Sequence, residues 1–487
     1  MRIRIHIIFT LLILYAALAG FFIFNHRLDI NPAGISYIEI ARNLSVGHFR
    51  SAITAYWSPG YPLHLIALKP VGDWLTVTKV STFILAMSWL ISSYCFAFYI
   101  FKDHRKAELT AIFTLLFAGS SSMWQLITPD LLLSVYVLLL LMVVTSLIHE
   151  SSPIDWRIFG LLLGLGYLIK TYFLVFALLF FPFILWRYVH PRVPTSVSWV
   201  LVGLASIVVI WSSFLFIKYH QFTIGMSGQL TYEKFVNGTE LNFLQAPQPV
   251  PPETTSYWSD PADFTPITFD LSKQIQAITN NSKVTSKYLL KHFHLGLFFL
   301  LPALAEIRRK KELQILAFFT GLWIFIYLLI LVEERYLWPI VVPLIILIVA
   351  GMQRKYLPQI ALYFLVSLFL FNRSYTKTVA ADQNSSLHFA VSQEIKPPCV
   401  LLSDEWARGL YVAYFSGCTY LGRTASADQV NGINASEILT REINVGQATH
   451  FVTFHPEQYE EIMQDLSLSK KEWKSIGLRA ILYTLEN

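Results

Sequence analysis

Charged residues are scarce in this 487-residue chain: only 14% of the positions are Asp, Glu, Lys or Arg, while 55% are hydrophobic. A soluble globular protein has about 25% charged and about 45–50% apolar residues. The mean hydropathy of +0.51 points in the same direction. This shortage of charge excludes an ordinary soluble domain and predicts an integral membrane protein.

Short motifs that mark several enzyme classes are also missing. The 13 histidines show no metal-ligand spacing, and neither a phosphate-cradling Gly-rich loop nor a Gly-x-Ser-x-Gly elbow occurs. The net charge of +6 comes mostly from loops between apolar runs, so no basic patch indicates nucleic acid. We therefore expect no cofactor and no nucleic-acid partner. The residues indicate no metal site, and the need for a divalent metal stays open.

Cysteine is nearly absent, with three residues in the whole chain. Cys95 lies within an apolar run and is expected to be a small core residue. Cys399 and Cys418 lie on what read as consecutive strands near the C-terminus. In an oxidising compartment they are able to form one disulfide, and a pair of free thiols fits the sequence equally well.

Long apolar runs are abundant, and about eleven of them have the length of a membrane span. Their approximate bounds are 6–25, 80–101, 109–127, 131–148, 156–169, 171–187, 196–217, 288–306, 314–332, 336–351 and 357–372. The weakest of these divisions is the break at Lys170. The first run is expected to remain as an uncleaved anchor, because apolar residues from Phe21 to Phe24 continue it.

Basic residues set the expected orientation. Lys and Arg occur in six alternate connections, counting the N-terminus, and such residues stay on the cytoplasmic side of a membrane. The N-terminus is therefore expected in the cytoplasm, with the protein in a plasma (inner) membrane. Segments 26–79 and 218–287 and everything after about residue 373 then lie on the extracytoplasmic face.

The C-terminal region has a different, more polar pattern from the rest of the chain. Strand-like and helical stretches alternate there, at Cys399–Ser403, Trp406–Phe415, Thr419–Leu421, His450–Phe454, Pro456–Leu466 and Ala480–Thr484. Such alternation is typical of a small α/β module. The expected fold class is mainly α: a polytopic bundle of membrane helices over 1–372 with interfacial helices in the first outer loop, then an extracytoplasmic α/β domain over 373–487.

The first outer segment, 26–79, has the start and stop signals of a short helix. Asn31 and Pro32 are a good N-cap and first helical position, and Gly47 is a good terminator. Between them apolar residues recur every third position, which predicts an amphipathic helix in the membrane interface. Its N-terminus either binds a lipid-linked phosphate or only supports the neighbouring spans.

The proline-rich segment 218–287 is either disordered or a lid over a site, and its aromatic residues favour the lid.

Three charged side chains interrupt the ends of apolar runs. Asp130 fits a structural role in a first helical turn and equally a functional role at the membrane edge. Lys170 is either a helix-end anchor or a partner for an anionic headgroup or pyrophosphate. Arg335 either binds a phosphate through two N–H groups or forms ion pairs with Glu333 and Glu334. With the aromatic residues nearby, they have the composition expected for transfer from a lipid phosphate.

Five short motifs follow one another on the expected outer side. They are Gly34-Ile-Ser-Tyr37, Tyr56-Trp-Ser-Pro-Gly-Tyr-Pro62, Thr128-Pro-Asp130, Tyr167-Leu-Ile-Lys170 and Glu334-Arg335-Tyr336-Leu-Trp-Pro339. In these motifs the chain resembles the polytopic GT-C fold glycosyltransferases, in particular the group of protein O-mannosyltransferases and lipid A aminoarabinose transferases. The resemblance covers most of the membrane domain, and it implies a sugar donor carried on polyprenyl phosphate.

The resemblance also implies an activity and a set of residues. The chain would be an integral membrane glycosyltransferase that moves a hexose or pentose, with inversion, to an envelope glycan, lipid or protein. Its partners would be the lipid-linked donor, membrane lipids and one of these acceptors, and Lys170 and Arg335 would hold the carrier phosphate. The residues implied to bind the substrates are Tyr37, Trp57, Tyr61, Lys170, Trp258, Glu334, Arg335 and Tyr336.

The position of the catalytic carboxylate departs from the family pattern. In such families an acid four positions before the tyrosine matched by Tyr37 is thought to activate the acceptor, but Ala33 stands there. Asp29 and Asp130 are therefore the expected catalytic residues.

Two other functions stay open: a transporter or flippase-like protein for lipid-linked glycans, and a non-catalytic relative. A transporter should show helices broken near the bilayer midplane, whereas an enzyme should gather its charged residues around one outer cavity.

Overall fold

The computed structural model describes residues 2–148, 156–184, 186–187, 193–239, 245–262, 264, 267–380, 384–428, 435–464, 466–475 and 478–485. These residues form a bundle of α-helices and one five-stranded sheet. The helices are α1 (Arg2–Asn25), α2 (Pro32–Ser45), α3 (Phe49–Ala52), α4 (Gly60–Ala67), α5 (Trp74–Phe101), α6 (His104–Ser120), α7 (Pro129–Ile148), α8 (Trp156–Ile169), α9 (Tyr172–Ile184), α10 (Val193–Tyr219), α11 (Ser227–Tyr232), α12 (Leu271–Phe293), α13 (Leu300–Arg309), α14 (Lys311–Leu328), α15 (Trp338–Gly351), α16 (Leu357–Ala380), α17 (Asn384–Ser392), α18 (Trp406–Ser416), α19 (Ala435–Gly446) and α20 (Pro456–Tyr459).

Most of the predicted membrane runs correspond to helices. Among the described residues, seven helices are long and apolar enough to cross a membrane: Trp74–Phe101, Pro129–Ile148, Val197–Tyr219, Leu271–Arg309, Lys311–Leu328, Glu334–Gly351 and Leu357–Thr376. Three shorter apolar helices are Phe9–Asn25, Ile158–Ile169 and Tyr172–Ile184. The break predicted at Lys170 is confirmed, since it separates α8 from α9. The run 109–127 falls on α6, which ends at Ser120, so the number of eleven spans stays a prediction.

Helix α12 begins about 17 residues earlier than the predicted run 288–306. The side chain of Asp270 accepts hydrogen bonds from the backbone N–H groups of Ser272 and Lys273, at 2.8 and 3.1 Å. A carboxylate at this position caps the helix and interacts favourably with its positive end. Hydropathy missed this start because the first turns of α12 are largely polar, and the segment between α10 and α12 is correspondingly shorter than 218–287.

Helix α15 lies at the centre of the bundle. All 14 of its residues are buried, as expected for a helix that is apolar on every side. It packs against α6, α7, α13 and α14. The 3-10 turn Glu334–Leu337 leads directly into α15 and contacts α7, so the packing of α15 fixes the positions of Arg335 and Tyr336 beside α7.

The C-terminal part contains the predicted mixture of strands and helices. Its strands are β1 (Val400–Ser403), β2 (Thr419–Arg423), β3 (His450–Thr453), β4 (Ser467–Ser475) and β5 (Leu478–Leu485), in the order β2-β1-β3-β5-β4. Strand β1 is parallel to β2 and β3, whereas β5 is antiparallel to β3 and β4. The sequence reading missed β4, because Lys470, Lys471 and Lys474 give this edge strand a polar pattern. Helix α16 continues past residue 372, so the domain boundary there stays a prediction.

Cys399 and Cys418 form a disulfide between the residue before β1 and the residue before β2. One of the two possibilities left open by the sequence is thereby selected. The third cysteine, Cys95, was expected in the core, but it is exposed on α5. That position suits a helix face in contact with lipid tails, which are as apolar as a protein interior.

Replacing both Cys399 and Cys418 by Ser should destabilise the sheet by about 3 kcal/mol, because a loop of about 20 residues is no longer closed in the unfolded chain. Hydrogen exchange of the β1 and β3 amides in the full-length protein in detergent measures this loss. The control is Cys95→Ser, for which no change is expected. Equal exchange in the double variant and the control would contradict a stabilising disulfide.

Candidate functional site

A cavity of about 660 Å³ lies beside the starts of α2, α7 and α9. It is lined by residues of segment 26–79, the α8–α9 break, the turn before α15, the loop after α10 and the first residue of α18. Eight of the ten site residues predicted from the sequence line it: Tyr37, Trp57, Asp130, Lys170, Trp258, Glu334, Arg335 and Tyr336. The fold thus gathers in one place residues that lie up to 299 positions apart.

Helix α2 is held against the residues before α7. Asn31 lies at the predicted N-cap position, but its side chain does not cap α2. Instead, Asn31 Oδ1 accepts a hydrogen bond from the backbone N–H of Ile127, at 2.8 Å. Gly34 permits this close approach, since a Cβ there would lie 2.9 Å from Cβ of Ile127. The predicted helix is confirmed: ten of its 14 residues are buried, and the polar residues Arg42 and Ser45 are exposed near its C-terminal end.

The second motif holds the break between α8 and α9. The hydroxyl of Ser58 lies 3.1 Å from the hydroxyl of Thr171 and accepts a hydrogen bond from the Thr171 backbone N–H, also at 3.1 Å. Gly60 packs on the end of α8, where a Cβ would lie 2.8 Å from the carbonyl oxygen of Leu168. These contacts fix the backbone on both sides of Lys170 and therefore the direction of its side chain.

Asp130 and Lys170 form an ion pair in the cavity wall. The Lys170 ammonium donates to Asp130 Oδ1, and the Thr128 hydroxyl donates to Asp130 Oδ2 at 2.5 Å. The Asp130 side chain is 2% exposed and that of Lys170 is 20% exposed, so the lysine is the partner that an entering ligand reaches first. The ammonium also lies 3.9 Å from the ring centroid of Tyr336, which adds a cation–π contact.

Arg335 is the second cation beside this pair. Its Nε donates to Glu333 Oε2 at 2.7 Å, and its guanidinium carbon lies 5.1 Å from the ring centroid of Tyr336. Lys170 and Arg335 therefore both contact the Tyr336 ring. Two cations so close together repel each other unless anions compensate them, and here Asp130 and Glu333 supply that compensation.

Glu334 lines the cavity, but its carboxylate is engaged elsewhere. It accepts a hydrogen bond from the Ser122 backbone N–H at 3.2 Å. It also lies 3.3 Å from the Lys291 ammonium and 3.6 Å from Nε2 of His292. These contacts connect the turn before α15 to the loop after α6 and to α12, so Glu334 links the site to neighbouring parts of the bundle.

Aromatic rings from three distant segments form one wall of the cavity. The ring centroids of Trp57 and Trp258 lie 5.3 Å apart, and those of Tyr56 and Trp258 lie 5.4 Å apart. Trp406, the first residue of α18, packs on Trp258 at 5.4 Å. The C-terminal part of the chain thus contributes a side chain to the cavity. The sequence reading missed Trp406, because no local pattern indicates which distant ring it contacts.

Asp29 and Tyr61 are not among the described residues that line the cavity. Asp29 Oδ2 pairs with Nδ1 of His26 at 2.7 Å, and its backbone carbonyl accepts from the Lys79 ammonium at 2.6 Å. Tyr61 lies behind Tyr37, with ring centroids 5.4 Å apart. Ala33, the position where the family pattern has an acid, does line the cavity.

Comparison with known proteins agrees with this architecture. The chain matches no family model and no curated protein. Two solved structures of ArnT from Cupriavidus metallidurans are similar over nearly the whole chain. The structure bound to undecaprenyl phosphate has a TM-score of 0.57 at 11% identity, covering 96% of this chain and 97% of ArnT. The apo structure has a TM-score of 0.57 at 12% identity, covering 97% of each chain.

The predicted fold is confirmed by this likeness. ArnT is a lipid A aminoarabinose transferase with a GT-C fold, and the chain shares that fold along nearly its entire length. With its apolar helices, the chain is a multi-pass membrane protein. At 11–12% identity the likeness establishes the fold alone, and the function has to be argued from the cavity.

Proposed function

We propose that this chain is a membrane glycosyltransferase that transfers a sugar from a polyprenyl-phosphate donor to an extracytoplasmic acceptor. The observation that carries the proposal is the meeting of Asp130, Lys170 and Arg335 in one cavity with an aromatic wall. The undecaprenyl phosphate bound by the structurally similar ArnT supports a polyprenyl carrier for the donor.

Lys170 and Arg335 would bind the phosphate of the donor. Lys170 supplies a compact charge, and Arg335 has guanidinium N–H groups beyond the Nε that contacts Glu333. As the bond between the sugar and the phosphate breaks, negative charge grows on the leaving oxygen. Cations held in place before the reaction stabilise that charge without further rearrangement.

Asp130 would act as the general base. When Lys170 turns to the phosphate, the Asp130 carboxylate loses its ion-pair partner and its oxygen is free to take a proton from the acceptor. The acceptor oxygen forms a bond to the sugar carbon from the face opposite the phosphate, its proton passes to Asp130, and polyprenyl phosphate leaves. The sugar carbon is inverted in this single displacement.

The aromatic wall would bind a sugar ring. Trp57, Trp258 and Trp406 present flat apolar faces, and such faces suit the C–H faces of a pyranose or furanose ring. The polar edge of the same sugar would then face the charged side of the cavity.

A test compares lipid-linked sugars and envelope glycans in cells with and without the protein. We expect the lipid-linked donor to accumulate and one envelope glycan to lose a sugar when the protein is removed. Wild-type protein should reverse both changes, and the Asp130→Asn variant should reverse neither. Unchanged pools would contradict the proposal, and a donor left inaccessible from outside the cell would indicate a transporter instead.

A further inference from the structure

Glu39 is a fully buried carboxylate on α2 that the proposed chemistry does not use. Its side chain is 0% exposed, and Glu39 is not one of the described residues that line the cavity. The Glu39 carboxylate accepts hydrogen bonds from the Thr255 backbone N–H at 2.9 Å, from the Thr255 hydroxyl and from the Ser259 hydroxyl. Burial raises the pKa of Glu39 above its usual range, and the hydrogen bonds from Ser259 and Thr255 oppose that shift.

The segment bound by Glu39 is residues 253–260, which we name the strap. At one end, the strap carbonyl of Glu253 accepts a hydrogen bond from Nδ2 of Asn43 at 3.1 Å. At the other end, the carbonyl of Trp258 accepts from Nε1 of Trp57 at 2.9 Å. The strap therefore lies along α2, and Glu39 binds its middle.

The strap also contacts the C-terminal sheet. The carbonyl of Thr255 accepts a hydrogen bond from the backbone N–H of Tyr420 on β2, at 2.7 Å. One residue of the strap, Thr255, thus connects α2 to the sheet that carries α18. The ring of Trp258 on the strap packs between Trp57 and Trp406, so the strap determines how these two rings face each other.

We propose that Glu39 is a positioning residue that holds the strap, and through it Trp258 and Trp406, in the wall of the cavity. This inference rests on the proposed function only in that the wall is taken to bind the sugar or the acceptor. Glu39 itself touches neither substrate, and its effect passes through Thr255 and Ser259.

A carboxylate is well suited to this task. Three donors converge on Glu39, and an ionised carboxylate is purely an acceptor with room for about four hydrogen bonds. Removing it would leave buried donors on Thr255 and Ser259 without a partner, which is costly in a site closed to water. A glutamine keeps the shape and one acceptor oxygen, while the two hydroxyl groups are free to turn toward other partners.

Hydrogen exchange of the strap tests the positioning role without any substrate. In Glu39→Ala, amide exchange in residues 253–260 should become roughly ten- to a hundredfold faster, and Glu39→Gln should be intermediate. The matched control is Glu253→Gln on the same strap, because the Glu253 carboxylate is 42% exposed and pairs with His48 at the surface. That control should change exchange by less than about threefold. Unchanged exchange in Glu39→Ala would overturn the proposal.

Steady-state kinetics separates positioning from loss of folding. We expect Glu39→Ala to raise the KM of the donor or the acceptor about tenfold with kcat within about threefold, and Glu39→Gln to restore most of the loss. Exchange along the buried helix α15 should stay unchanged and serves as the folding control. A loss confined to kcat would contradict the role. If the wild-type protein transfers no sugar, the proposed function is wrong. The hydrogen-exchange experiment still tests whether Glu39 holds the strap, because that experiment needs no substrate.

Discussion

Replacing Asp130 by Asn should lower the rate of sugar transfer by a factor of about 10²–10⁴, the range typical for loss of a general base. Asparagine keeps the size of the side chain and its contact with the Thr128 hydroxyl, but it cannot accept a proton from the acceptor. It also releases Lys170, which is then free to bind phosphate. We therefore expect a lower kcat with an unchanged or lower KM for the donor.

This division between kcat and KM distinguishes catalysis from instability. Breaking a buried ion pair destabilises a protein by roughly 3–5 kcal/mol, and an unfolded variant would lose donor binding as well. The control is Asp428→Asn, which alters a surface pair with Arg423 away from the cavity. If Asp29→Asn lowered kcat as much as Asp130→Asn, the base would be assigned to Asp29 despite its contact with His26.

Ala33 allows a complementary experiment in the same background. Because Ala33 lines the cavity, an Asp introduced there would place a carboxylate where the family pattern has one. We expect Ala33→Asp to restore activity at least about tenfold in the Asp130→Asn variant, since it supplies a second base near the acceptor. No gain, together with an inactive wild-type protein, would favour the non-catalytic relative.

Replacing Arg335 by Ala should lower kcat/KM for the donor by a factor of about 10²–10³, which is the usual effect of losing one group that stabilises transition-state charge. The guanidinium carbon lies 5.1 Å from the Tyr336 ring centroid, and the Arg335 side chain is 21% exposed and lines the cavity. Arg335→Lys keeps the positive charge but loses the planar guanidinium with its paired N–H donors. This variant should therefore be more active than Arg335→Ala but less active than the wild-type protein.

Product inhibition tests whether Arg335 acts on phosphate. Polyprenyl phosphate should inhibit the wild-type protein, and the inhibition constant should rise in both Arg335 variants. The matched control is Arg479→Ala, which removes another arginine paired with a glutamate, Glu472, on the exposed surface of the sheet. Inhibition that is equally strong in Arg335→Ala and wild type would show that Arg335 does not hold the phosphate.

Several structural features were predictable because they depend on neighbours in sequence. The break at Lys170, the helix that starts at Pro32 and the strands β1, β2, β3 and β5 follow from local periodicity and capping signals. The same reasoning failed at β4 and at the start of α12, where polar residues hide the periodicity. It also assigned Asn31 the usual capping contact, although its side chain binds Ile127 instead.

The candidate site could be predicted only in part, for a related reason. Asp130, Lys170, Trp57 and Arg335 occur in short motifs that stand out in an apolar chain, so their identity was readable. Glu39 was overlooked because an acid between Ile38 and Ile40 gives no sign of the distant donors that satisfy it.

The amino-acid sequence is enough to identify a membrane protein, to locate most of its helices and to find the polar residues that interrupt them. Hydropathy and capping act over a few residues, so they can be read along the chain. The three-dimensional packing was needed to show that Lys170 pairs with Asp130, that Asp29 pairs with His26 outside the cavity, and that Trp406 lies in the cavity wall. Those contacts depend on how helices and sheet pack over long separations, which no local pattern encodes.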